Sequence, residues 1–319
     1  MTRNEIARLK KILTGPVGKR LEKASAAQLA EPSRLQNKDS RRAVARALAS
    51  TLDRPTIGTF TAIAEQDQAT LEARRTKITA EAVRASRGRQ RVLKVAAAQY
   101  LDAVKKAALT PLAPGQIGHV LLNVPFMISR RGEARIQQPK ITPNNSSAKF
   151  RGRSEDDDDF TGGVAFSFAW TNPKPTTEVI NISAFIIFNG HCSLGTGGGI
   201  FPADREATVN VDGFLEILQM NNNPPTSPPG QPDQFVRALS MHENTDGWGE
   251  VGAVDARDIF RGFALNHNNL IVPAGATLVF NVVASVTLDT GEDDSIAEAD
   301  FRSGGFFVGS PAVLLATLT

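Results

Sequence analysis

Leu278, Phe280, Val282, Ala284, Val286 and Leu288 hold every second place over eleven positions. A period of two puts all six side chains on one side of an extended chain. Such a strand has one apolar face, so it needs neighbours in a sheet and a second layer over it. The same spacing recurs at Val164, Phe166, Phe168 and Trp170, and more briefly at Ala207, Val209 and Val211. Val272-Pro-Ala-Gly275 is turn chemistry before the long strand, and Asp212-Gly213 reads as a two-residue hairpin turn after the short one. Residues Ala312 to Thr319 read as a final apolar strand. Asn221 to Gln234, with five prolines, reads as an extended exposed loop. These features predict a β-sandwich, jelly-roll-like, over residues 112–319.

Leu112-Ala-Pro-Gly115 separates that texture from a different one. Upstream, Ala, Arg, Lys, Glu and Gln dominate, and all are good helix formers. Ile6, Leu9 and Leu13 share a helix face, as do Val17, Leu21 and Ala24 after the Gly15-Pro16 break. Pro32 ends that segment; Asp39 or Ser40 can cap the next, where Val44, Leu48 and Leu52 align. No proline occurs from Thr59 to Leu109. A single helix there would run about 75 Å. Ile57, Ala64, Leu71, Ile78, Ala85 and Val92 repeat every seven residues, but Asp67, Arg74, Glu81 and Gly88 fill the second seam. The coiled-coil pattern is half-formed, and the narrow Ala-rich stripe needs a partner surface from this chain or another. The chain therefore reads as α+β in two segregated parts: a basic helical region for oligomerisation or anchoring, 1–111, then an acidic sandwich, 112–319.

The net charge of +3 conceals an asymmetry. Residues 1–110 carry 23 Lys and Arg against 10 Asp and Glu, a balance of +13; the remainder carries 13 against 23, a balance of −10. A charged partner for at least one half is expected. The single cysteine can form no internal disulfide. The N-terminus lacks the apolar stretch of a secretory signal. The run Ile182 to Phe188 is far shorter than the roughly 20 residues of a membrane helix. A soluble protein made in the cytoplasm is expected, compatible with a virus-like particle.

The window Phe188 to Phe201, FNGHCSLGTGGGIF, has the look of a site. A phosphate cradle needs a helix after the glycines and a Gly-Lys-Ser/Thr or comparable fingerprint, and neither follows. The glycines read as turns between strands. Cys192, with His267 and Asn268 as helpers, lacks the electropositive setting a thiolate needs and reads as a small buried hydrophobe. His119, His191, His242 and His267 show no ligand spacing. Glu155 to Asp159 and Glu292 to Asp294 read as solvated loops rather than calcium sites. No catalytic, cofactor or metal residue is assigned.

Two binding features remain. Asn244, Asp246 and Trp248 offer an aromatic face with polar neighbours suited to a glycan. Arg74, Arg75, Lys77, Arg84, Arg87, Arg89, Arg91 and Lys94 crowd one helical stretch and could hold a polyanion such as nucleic acid; otherwise they form a solvated face or dock on an acidic surface. The overall reading is a non-enzymatic, homo-oligomeric structural subunit of a virus- or phage-like particle or fibre. A nucleic-acid-binding coat protein and a lectin-like adhesin are the alternatives, with a cysteine-dependent enzyme behind them.

Overall fold

The computed structural model describes residues 54–108, 117–197, 205–220, 234–245, 252–291 and 295–318, with the isolated positions Ala7, Lys10 and Gly15. The helical pattern expected before residue 54 lies outside the described residues, as does most of the Pro-rich loop. Among the described residues one long helix, α1 (Arg54–Ala108), precedes fourteen strands. These are β1 (Ile117–Leu122), β2 (Met127–Gly132), β3 (Gln137–Lys140), β4 (Ser146–Lys149), β5 (Arg151–Glu155), β6 (Asp159–Thr171) and β7 (Glu178–Thr196). They continue as β8 (Glu206–Gln219), β9 (Gln234–Asn244), β10 (Ala253–Val272), β11 (Thr277–Thr290), β12 (Ser295–Asp300), β13 (Phe307–Ser310) and β14 (Val313–Leu318).

The strands form two sheets packed as a sandwich. One has five strands in the order β2-β6-β11-β8-β9. The other has nine and is organised around β7, nineteen residues long. Along one edge of β7, β10 pairs from Glu178 to Thr196, with a single register shift between His267 and Leu270. Along the other edge β14, β13 and β12 pair in succession. The alternation read in the sequence points where period two requires. Phe166, Phe168, Phe280, Val282 and Val286 meet Ile182, Ile186 and Phe188 in one core, all but unexposed. Each such side chain contributes about 1.5–3 kcal/mol of burial.

The Val272–Gly275 turn forms as expected: Gly275 takes φ +68° and the Ala276 amide bonds Pro273 O at 3.1 Å. Two other turn readings are corrected. Asp212-Gly213 is not a hairpin turn; β8 runs straight through it, with Val211 and Leu215 facing the core on either side. Asp212 lies on the outer face, bonded to Arg237 across β9 at 2.9 Å. Gly213 lies beneath Ile186 and Val236, 3.2 Å from where a Cβ would be. Likewise Gly190 and Gly195 do not turn the chain, because β7 passes through both. A Cβ at Gly190 would lie 2.4 Å from the Phe301 ring, so close packing explains that glycine. Residues 198–201 of the same window lie outside the described residues.

Gly190→Ala should therefore destabilise by about 1–3 kcal/mol through overpacking. Urea unfolding measures this; an unchanged midpoint would remove the packing account of Gly190.

Candidate functional site

Helix α1 lies against the outer face of the nine-stranded sheet, in contact with β7, β10 and β1. The apolar seven-residue stripe does not make this contact. The buried positions are Arg75, Ala82 and Ser86, with Thr79, Arg89 and Leu93 half-buried beside them. Steps of four and three residues keep these positions on one side of the helix. Leu71 and Ile78 lie at the seam's margin, whereas Ala85 and Val92 are exposed. Within the chain, α1 is thus seated by a helix-on-sheet seam of small and charged residues and not by its apolar stripe.

Close approach fixes the middle of the seam. The Gly305 amide donates to Ser86 Oγ at 2.8 Å, and a Cβ at Gly305 would lie 2.9 Å from the Ser86 backbone. Asn189 Nδ2 donates to Gly305 O at 2.8 Å, joining β7 to the same point. Charge fixes the two ends. Arg75 grips Glu72 on its own helix and reaches Glu298 of β12 at 3.4 Å. Arg151 reaches the same Glu298 oxygen at 2.6 Å. Arg89 pairs with Asp258 of β10. The other oxygen of Asp258 accepts from His191 Nδ1 at 2.8 Å, and the His191 ring stacks on Phe306. The His191 hydrogen bond, then that of Arg89, holds the Asp258 carboxyl below the usual carboxylate range against the opposing effect of burial.

The floor under α1 is polar. Asn189 Oδ1, His191 Nε2 and Ser193 Oγ are buried there without a hydrogen-bond partner among the described residues. Each such group carries a desolvation penalty of about 1–3 kcal/mol. The seam combines tight local fit with incomplete polar satisfaction.

The expected polyanion set is divided by this geometry. Arg75 and Arg89 turn inward onto acidic residues of their own sandwich and leave the set. Arg74, Lys77, Arg84, Arg87 and Arg91 are exposed on α1. The side chain of Lys94 lies outside the described residues. Of the glycan set, Asn244 is exposed at the end of β9, while Asp246 and Trp248 lie outside the described residues. Cys192 faces the core, fully buried, and burial pushes its thiol far up. His191 projects from the opposite face of β7. His267 pairs with Ile182, ten residues along β7 from Cys192, which is about 33 Å. The structure therefore assembles no Cys–His couple. Among the described residues no His/Cys/Asp/Glu group could hold a metal ion, and no helix is long and apolar enough to cross a membrane.

Asp258, Glu298 and Asn189 are functional residues of the seam that the sequence reading missed. Their strands are legible, but nothing in the local pattern says that a helix some 100–220 residues away in the chain covers them.

No family model matches the chain, and no curated protein sequence matches it. Among solved structures it is similar to TmCBM61 in complex with beta-1,4-galactotriose, at 12% identity over 57% of this chain and 86% of that one, with a TM-score of 0.19. It is similar to the C-terminal family 22 carbohydrate-binding module of Clostridium thermocellum Xyn10B, at 12% identity over 56% and 87%, with a TM-score of 0.18. The enzymatically active domain of bacteriophage CBA120 tailspike protein 4 matches at 14% identity over 55% and 19%, with a TM-score of 0.15. Scores of this size carry no argument about what this chain does.

The lowered Asp258 carboxyl gives a signed expectation. Its contribution is full above the ordinary carboxylate range and is lost as pH falls below it. Removing one of the two groups that hold the carboxyl down should shrink that loss. Arg89→Gln should flatten the fall in stability on the acid side, measured by thermal unfolding across a pH series. An identical slope in variant and parent would remove the coupling.

Proposed function

We propose that the chain is a non-catalytic structural subunit that self-associates through the free face of α1, with the sandwich as its head, in a particle or fibre. One observation carries this reading. Val92 and Val95 are 60% and 51% exposed on a helix whose other side is already seated. They continue the stripe of Leu71, Ile78 and Ala85. Large apolar side chains on a helix surface gain by burial against another copy. A second copy bringing the same stripe would bury it symmetrically. The test is light scattering on a sizing column across concentration. A defined oligomer that Val92→Glu/Val95→Glu converts to monomer is the expected result. A monomeric parent at every concentration overturns the reading.

A lectin-like reading keeps one observation in its favour. The outward side of β9 presents Phe235, Arg237, Ser240, His242 and Asn244, all exposed. The Arg237 guanidinium stands 5.6 Å from the Phe235 ring centroid. An aromatic face beside hydrogen-bonding groups suits a sugar ring. Retention on immobilised glycans that Phe235→Ala abolishes would favour this reading over self-association alone; no retention of the parent protein would dismiss it.

A further inference from the structure

We propose that the outward ridge of α1 is a docking track for a nucleic-acid phosphate backbone, with Lys77, Arg84 and Arg91 as its contacts. The ridge follows from the seam. At about 100° per residue, these three residues lie about 180° round the helix from the buried seam. All three are exposed, with Arg74 and Arg87 exposed on their flanks. None of the five takes part in an ion pair among the described residues. They recur every seven residues, so their stems are about 10.5 Å apart and the ridge is about 21 Å long. Arg75 and Arg89, neighbours in sequence of this set, are spent on Glu298 and Asp258 and lie on the other side.

A straight rod with cations at a constant interval fits a polymer of constant charge. Double-stranded DNA presents one phosphate per about 1.7 Å of axis, so several phosphates lie within reach of each side chain. The two guanidinium groups add fork-shaped donors matched to phosphate oxygens. A lipid surface fits less well: Ala73, Thr76, Ala80 and Glu81 stand beside Lys77 and Arg84, and Val92 and Val95 at the far end of the ridge are two large apolar side chains where an interfacial helix inserts a whole apolar face. The acidic surface of another copy fits less well too. Its exposed run, Glu155 to Asp159, spans five residues, with Asp156 and Asp157 in the left-handed region at φ +42° and +64°. Even fully extended, five residues reach about 17 Å, and this run is turned. It cannot meet three cations spread over the ridge together.

The inference is tested with the full chain and a fluorescein-labelled, mixed-sequence duplex DNA, by anisotropy over a salt series. Binding by the parent should weaken steeply with salt. Lys77→Gln/Arg84→Gln/Arg91→Gln should bind more weakly and lose about 3 from the log–log salt slope, close to one per phosphate contact removed. Glutamine is a good helix former, so circular dichroism should show unchanged helix. Arg257→Gln/Arg261→Gln removes two exposed cations of β10 and should leave the slope unchanged. Failure of the parent to bind overturns the proposal. So does an equal per-charge loss of slope in the two variants, which would mean net charge alone, or a ridge-dependent preference for phosphatidylserine vesicles over the duplex. Self-association is read separately on the sizing column, so either result can fail without the other.

Discussion

The pairing of β7 on both of its edges is the constraint from which the rest of the nine-stranded sheet follows. Even-numbered residues of this strand, from Ile180 to Leu194, face the core, and the odd ones face outward. The strand itself carries no bulge, so the alternation never slips. On one edge it serves three short strands in turn, and the chain must leave and re-enter between them. The link between β12 and β13 holds Phe301, which enters the core, and Gly304 and Gly305, which meet the helix. The seat for α1 is therefore made by the gap that β7 leaves between two of its partners.

The seat is selective rather than strongly adhesive. Buried polar atoms without partners oppose docking, the part-exposed Arg89–Asp258 pair adds modest stabilisation, and the buried Arg75–Glu298 pair sets its Coulomb attraction against a desolvation cost. What the charges do well is set register. Arg75 and Arg89 are fourteen residues apart, about 21 Å along the axis, and each meets its own carboxylate. Sliding the helix by one turn would part both pairs at once and bring Ala82 or Arg89 to Gly305 in place of Ser86, so the Gly305 amide would lose its hydroxyl acceptor. Glu298 would keep Arg151, but Asp258 would keep only the His191 hydrogen bond. One docked position is favoured because three contacts at different depths of the helix must agree.

The sandwich was legible because period two is a local property. Leu278 to Leu288 and Val164 to Trp170 needed no knowledge of their partners to be placed on a core face. The glycines were misread for the complementary reason. Gly190 and Gly213 look like turns when only the chain is considered, and what a side chain there would meet is Phe301 or Ile186, far off in sequence. The long helix was legible from the absence of proline, but its buried side was not. The apolar stripe at Leu71, Ile78, Ala85 and Val92 was the reasonable choice of contact face, yet Ser86 and Arg75 occupy the seam. A sheet surface carrying Asp258, Glu298 and Asn189 selects a polar helix face, and that composition becomes visible only once β7, β10 and β12 are aligned.

The charge asymmetry of the chain takes a different meaning in this light. Part of it is satisfied within the molecule, since two front-half arginines neutralise two back-half carboxylates across the seam. That satisfaction fixes how the helix is turned, and so it fixes where the remaining cations point. Rotating α1 by half a turn would offer Lys77, Arg84 and Arg91 to the acidic floor instead. Charge alone does not forbid this. The close contact at Gly305 does, because it needs a small residue with a hydroxyl at the middle of the buried side, and Ser86 supplies it. The outward side carries Arg84 and Gly88 at that level, and neither has a side chain that can accept the Gly305 amide hydrogen bond. A steric detail at one glycine thus decides which arginines are internal counter-charges and which face a partner.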